Sequence, residues 1–482
     1  MSTQVPVIVG VGQVIQKDAA APEALGPIEL MVAAARRAGA DAGASKLLGR
    51  IGWLAVVGGT WRYRNPGAVI AGHLGAPTAA TALTGMSGSA PQNAVGVAAA
   101  RIACGELDVA LVVGGEARRS YRQLKRNNLP LPWTTDDGDG EAEHLTVLPP
   151  DIAAEPRQFG SIAALYALME DSLRIAAGRS VPEHQAHIGA LWEQFSVVAR
   201  HNPMAWDRRE WTAQQIIADT PDNRMIAFPY TKALVANNDV DMASAILITS
   251  LEAALAAGVS RDRLVFPHAV TVSDDTTRVA HRHRLHEAPA LAAAGARALQ
   301  LAGICAADLT HVDLYACFPS IVQMSAQALQ LPLDRALTVT GGLGFAGAPL
   351  ANASGQSIAT LVPQVRAGGW GLVHANGGAA AKHAFGIYAP HPPDAFRFER
   401  VEDVDHRARA EMPDDWPGSV DVEAATVLYD RDGPASVLAS VRAADRRRLV
   451  TTTDADTIKS VLADGIAGQA ATIDAAGQLR LP

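Results

Sequence analysis

The feature that most constrains this chain's fold is a unit that occurs twice. In the first copy a helical stretch at 92–104 (QNAVGVAAARIAC) leads to Gly105, an apolar run at 107–113 (LDVALVV) and the pair Gly114-Gly115. In the second, a helical stretch at 354–365 (SGQSIATLVPQV) leads to Gly368, the strand-like 369–375 (GWGLVHA) and the pair Gly377-Gly378. Gly105 to Gly114 and Gly368 to Gly377 have the same spacing. Recurrence of a whole helix–strand unit implies a duplicated half-domain. The blander alternative is two generic helix–strand units in a chain rich in Ala and Gly. Pro363, inside the second helical stretch, implies a kink or a boundary close by.

The rest of the chain alternates in the same way, with apolar runs of strand length between longer Ala-rich stretches. That is how strands buried on both faces by crossover helices read, and the class is α/β. Aromatics are only 5% of the chain against 42 glycines, so its core is built from small and aliphatic side chains. Residues 118–232 differ: they carry Trp133, Trp192, Trp206 and Trp211 among many charges and prolines, and read as an inserted helical and loop region. After a Pro-rich exit near 389–398, residues 423–442 hold two β-rich runs about an Asp-Gly-Pro turn, and 449–453 (LVTTT) is another. Residues 395–482 are therefore expected to form a small appended β-rich domain, with Arg446-Arg447-Arg448 as a solvated turn.

Charge and cysteines narrow the partners. A net charge of -8 argues against a general nucleic-acid binder, which needs a basic surface. Cys104, Cys305 and Cys317 form no CxxC pair, so neither a disulfide framework nor a metal centre is expected. The Ala-rich stretches are interrupted by Arg, Asp or His before reaching spanning length, and the start has no basic segment ahead of a long apolar one. The expectation is a cytoplasmic chain with no membrane span.

Six motifs in order, GMSGSAPQNA, ACGELDVALVVGGE, VANNDVDMASA, DLYACFPS, GGLGFAGAPLANASG and HANGGAAAKHAFG, make the chain resemble the thiolase superfamily. The likeness is to sterol-carrier-protein-type thiolases and their relatives with an added C-terminal domain. It implies two five-stranded α/β halves, 1–117 with 233–265 and 266–390, around a loop domain at 118–232. It also implies coenzyme A or an acyl-CoA as ligand, with no further cofactor. The core sheets would pair into a homodimer, unless the added domain covers that face and leaves a monomer.

Carried over residue by residue, the resemblance removes most of the family's catalytic set. The nucleophilic cysteine of a thiolase sits at a helix start, where the dipole favours thiolate. That position is Gly88 here, between Ser87 and Ser89. A serine there would need an adjacent base to attack a thioester, and the alternative reading of the pair is a helix cap. The Gly-His-Pro base reads Gly347-Ala348-Pro349, and alanine moves no proton. The Cys-x-Gly acid/base position aligns with His374, ahead of Asn376 and Gly377; histidine keeps acid/base chemistry open. Tyr315 replaces the histidine that binds the thioester oxygen, two residues before Cys317, and could donate to an oxyanion.

Arg118, Arg119, Arg122 and Lys125 lead into the insertion and are candidates for CoA phosphates, or simply a solvated helix face. The expected function is a CoA-binding, thiolase-like protein without ordinary thiolase turnover. The alternatives are an acyl-CoA-dependent C–C lyase or acyltransferase using Tyr315 and His374, and a scaffold subunit.

Overall fold

The computed structural model describes residues 4–145, 154–405, 407–413, 416, 418–474 and 476–482. The first half contains β1 (Pro6–Ile15), β2 (Trp53–Val56), β3 (Ala80–Leu83), β4 (Val109–Ala117) and β5 (Glu143–His144). Two short strands follow, β6 (Met225–Ala227) and β7 (Tyr230–Thr231), and then β8 (Asp241–Ser250). Its sheet runs β1-β8-β4-β2-β3-β5. The second half contains β9 (Phe266–Asp274), β10 (Leu309–Asp313), β11 (Trp370–Gly377), β12 (Lys382–Ala389) and β13 (Arg397–Arg400), in the order β10-β11-β12-β9-β13.

The duplication is visible in the pairing. β4 lies parallel to β2 and antiparallel to β8, which is antiparallel to β1. In the same way β11 lies parallel to β10 and antiparallel to β12, which is antiparallel to β9. The halves differ at their edges. The second sheet has no counterpart of β3, and instead extends beyond β9 through β13, which pairs in parallel with it. The first sheet gains β5, a two-residue strand from the insertion that pairs in parallel with β3. Glu143 of β5 is fixed by Arg101 at 2.6 Å, and the Arg101 guanidinium lies 5.1 Å from the Trp53 ring centroid.

Helices flank both sheets. In the first half α1 (Pro27–Asp41) covers the outer face, α2 (Pro66–Leu74) starts on an Asn65 cap, and α3 (Ala90–Ala103) is the helix of the first repeat copy. Its counterpart is α13 (Ala353–Arg366), which continues through Pro363 and ends one turn later. α3 and α13 lie together between the two sheets, where Ala94, Val95, Ala98, Ile358 and Val362 meet Val112, Ile246 and Val373. Small side chains allow that close approach. β4 and β8 are buried along their whole length, as strands covered on both faces must be.

The insertion supplies α4 (Arg118–Arg126), α5 (Ala154–Gln158), α6 (Ile162–Ala176), α7 (Val181–His201) and α8 (Ala213–Ile217). α7 opens with a Ser180/Glu183 capping box and buries Trp192 and Phe195. The remaining core helices are α9 (Leu251–Ala256), α10 (Pro289–Ala302), α11 (Pro319–Ala328) and α12 (Gly342–Phe345). No helix among the described residues is long and apolar enough to cross a membrane.

The appended segment contains β14 (Ala410–Glu411), β15 (Gly418–Tyr429), β16 (Pro434–Ala443), β17 (Arg446–Thr452), α14 (Ala455–Ala463), β18 (Ala470–Ile473) and β19 (Leu479–Arg480). Two of its features differ from the sequence reading. The stretch that begins at 395 first gives β13 to the core sheet, before the chain builds a sheet of its own in the order β14-β17-β16-β15-β18-β19. That sheet is also shared with the insertion. β6 pairs with β15 at Leu428 and Ala227, and the Ala425 amide donates to Asp171 of α6 at 2.9 Å.

The triple arginine is a strand rather than a solvated turn. Arg447 is fully buried, with Glu423 accepting from its Nε at 2.6 Å and its Nη2 at 2.7 Å. A cation tolerates that depth only when paired, and nothing in the local sequence marks Glu423 as its partner.

Candidate functional site

The two copies of the repeat meet head to tail. The start of α3 lies against the end of β11, backbone to backbone. A Cβ on Gly88 would collide with the Asn376 carbonyl oxygen and the Tyr315 hydroxyl, and lie 2.7 Å from Tyr315 Cζ. A Cβ on Gly377 would collide with Ser87 Oγ. Only glycine fits at either position. The space a Gly88 side chain would need is thus filled by the Tyr315 phenol and the Asn376 carbonyl, while Ser354 Oγ donates to the Gly88 carbonyl at 2.8 Å.

The two serines do not act as helix caps. Neither side chain caps α3; their hydroxyls bond each other at 2.9 Å. Each hydroxyl is thus partnered by the other, with no base bonded to either among the described residues to raise its nucleophilicity. Tyr315 keeps 8% of its surface exposed, and its hydroxyl has no hydrogen-bond partner among the described residues. Burial, with Cys317 beside it, pushes its acidity well below that of an ordinary phenol. It can donate a proton in a hydrogen bond, but it is not a phenolate base.

Ala348 is buried, and its amide donates to the Asn237 carbonyl at 2.9 Å. The loop after it places Asn352, whose side-chain amide donates to Gly114 of β4 at 2.7 Å and to Ser244 of β8 at 2.9 Å, tying the second half to the first. His374 is wholly enclosed. Its Nδ1 lies 3.2 Å from Ser325 Oγ, its Nε2 lies 3.3 Å from His383 Nδ1, and its ring stacks on Phe385. Burial, together with the neighbouring His383, holds it well below the ordinary imidazole range, so it is neutral. Cys317 is also buried, and desolvation pushes its thiol up to about 12. It is a thiol at neutral pH and not a nucleophilic thiolate.

The hub of this region is Tyr166 on α6, which the sequence did not single out. Its hydroxyl donates to the Gly378 carbonyl at 2.9 Å, and accepts from Asn376 Nδ2 at 2.8 Å and the Ala380 amide at 2.9 Å. Its ring stacks on Phe318 with centroids 4.4 Å apart. Asn376 Nδ2 also reaches Cys317 Sγ at 3.9 Å, while Asn376 Oδ1 is buried without a partner among the described residues.

A second region opens beside α4. A cleft of about 520 Å³ is lined by Arg118 and Arg122 with Lys17, Lys232, Trp206 and Trp211. Three carboxylates also line it: Asp207 binds Arg209 at 2.6 Å, Asp239 faces Arg122 at 3.2 Å, and Asp222 enters no ion pair among the described residues. Lys17, Arg118 and Lys232 enter no ion pair among the described residues. Of the four cationic candidates, two line the cleft. Arg119 lies 5.7 Å from the Trp206 ring centroid and donates to the Lys17 carbonyl, and Lys125 sits 5.7 Å from the Tyr121 ring centroid. Lys17 and Lys232 are far from α4 in sequence, and no local signal could have grouped them with it.

Comparison with known proteins places this geometry. Residues 401–478 match the family model of the thiolase-like protein type 1 additional C-terminal domain. The fold is similar to the crystal structure of a monomeric SCP2-thiolase-like protein type 1 from Mycobacterium smegmatis, at 28% identity over 98% of this chain and 97% of that one, with a TM-score of 0.81. An Ltp2-ChsH2(DUF35) aldolase is similar at 17% identity over 81% and 99% of the two chains, with a TM-score of 0.62. An acetyl-CoA acetyltransferase from Syntrophomonas wolfei is similar at 14% over 80% and 99%, with a TM-score of 0.56. No curated protein sequence matches.

Proposed function

The chain belongs to the thiolase superfamily and carries the type 1 additional C-terminal domain, and from that premise we propose that it binds coenzyme A or an acyl-CoA without carrying out thiolysis. The observation that carries this reading is the packing at Gly88. The site of the family's nucleophile has no room for any side chain, because Tyr315 and Asn376 occupy it. Losing both nucleophile and base leaves an enzyme of this kind with binding and oxyanion contributions alone.

The cleft beside α4 supports the binding half of the proposal. Unpaired Lys17, Arg118 and Lys232 suit phosphate groups. Calorimetric titration with CoA, acetyl-CoA and a longer acyl-CoA tests it, alongside an acetoacetyl-CoA thiolysis assay. Saturable, salt-sensitive binding without thiolysis is the expected result. No heat with any of the three, or thiolysis at ordinary enzyme rates, would overturn the reading.

A second reading, an acyl-CoA C–C lyase, draws on the unpartnered Tyr315 hydroxyl as a proton donor. It requires that Tyr315→Phe abolish a measured cleavage of a β-hydroxyacyl-CoA.

A further inference from the structure

Arg282 lies on the segment that joins β9 to α10. It is 3% exposed, yet its guanidinium donates from Nη2 alone among the described residues, to the Ala379 carbonyl at 2.6 Å and to the Ala380 carbonyl. Its Nε and Nη1 meet no partner among the described residues. A guanidinium held at that depth for two carbonyls is costly unless those carbonyls must be held.

The turn they belong to, 378–381, joins β11 to β12 directly after Asn376 and Gly377. Ala380 stands there at φ +52, the left-handed region that non-glycine residues avoid at a cost of about 1 kcal/mol. Opposite the two carbonyls, the same turn presents the Ala380 amide and the Gly378 carbonyl to Tyr166, which in turn holds Asn376.

The other side of the segment is gripped by the C-terminal domain. Arg447 donates through Nη1 to the Arg282 carbonyl and through Nη2 to the His283 carbonyl at 3.1 Å. Glu411 pairs with Arg278 at 2.6 Å, and Arg409 Nε donates to the His283 carbonyl at 2.8 Å. Hydrogen bonds therefore run without a break from Glu423 and Arg447, through Arg282, to the 378–381 turn, Tyr166 and Asn376.

We propose that Arg282 is a positioning residue through which the C-terminal domain fixes the 378–381 turn. The role of that domain is then to set the geometry around Asn376 and Cys317. This goes beyond the binding reading and does not depend on it.

Cys317 reports on the chain of contacts. With Cys104 and Cys305 replaced by serine in the full-length protein, the rate at which iodoacetamide alkylates Cys317, which is 8% exposed, reads how readily the structure around the 378–381 turn opens. The double variant Glu423→Gln/Arg447→Met removes the clamp without leaving a buried unpaired charge. It is expected to label Cys317 about tenfold faster, the opening cost of roughly one charged hydrogen bond. Val437→Ala, buried in the domain's own core, lowers the urea midpoint instead and leaves labelling at the parent rate.

Parent-rate labelling in the double variant, or equal acceleration by Val437→Ala, would overturn the proposal. Arg282→Lys keeps the charge but loses the paired hold on the carbonyls, and carries the same test if the double variant does not fold.

Discussion

The region at the start of α3 and the cleft beside α4 are built in opposite ways. In the first, every position the motifs point to is packed or enclosed: Gly88 against Tyr315, Gly377 against Ser87, and His374 between Ser325 and His383. In the cleft, Lys17, Arg118 and Lys232 enter no ion pair among the described residues, around an opening walled by two tryptophans. The difference teaches that contacts made through backbone and small residues close a region tightly, while long charged side chains leave one open.

The sharpest way to break the comparison is Gly88→Cys. If the first region is closed as described, the new side chain overpacks it and destabilises the protein by about 3 kcal/mol in urea unfolding. No thiolysis should appear. A stable, thiolytically active variant would mean the region is merely vacant.

Acid tests the seal next. His383 is held down to about 4 by burial, against an ordinary value of 6.5, and His374 is lowered in the same direction. Above pH 6.5 both folded and unfolded chains hold these rings neutral. Below it the unfolded chain takes up protons that the folded chain cannot. Stability is therefore expected to fall as pH drops from 6.5 towards 4, by at most about 1.4 kcal/mol per pH unit for each histidine. Urea midpoints across that range should show the slope, reduced in His383→Gln. A profile unchanged by that substitution would mean the imidazoles reach solvent.

In the cleft the sign reverses. Arg118→Ala with Arg122→Ala is expected to weaken CoA binding about tenfold while leaving the urea midpoint unchanged. Unaltered affinity would move the phosphate site elsewhere.

The smallest effect is expected from Tyr315→Phe. Its hydroxyl has no hydrogen-bond partner among the described residues, so stability should stay within about 0.5 kcal/mol of the parent. A larger loss would reveal a bond that the packing does not show.

The parts of the fold legible in the sequence were those with local signals. The glycine spacing marked α3 with β4 and α13 with β11, and the Asp-Gly-Pro turn marked the β15–β16 hairpin. What stayed hidden depends on distant partners. Arg447 reads as solvent-facing until Glu423 is brought beside it, and β13 reads as a linker until β9 offers an edge. Tyr166 is one apolar-facing residue in a helix, and nothing near it in sequence foretells the 378–381 turn. His374 reads as a strand-end residue but lies inside β11, which runs on to Gly377, and its enclosure depends on Ser325 and Phe385, which only the tertiary fold supplies.

One small element reaches further than its length suggests. By lying along β3, Glu143 and His144 use the hydrogen-bonding row that the first sheet would otherwise offer to another molecule. A stranger strand could join there only by peeling away this pair together with the Arg101 anchor, so the chain carries its own stopper against edge-to-edge growth.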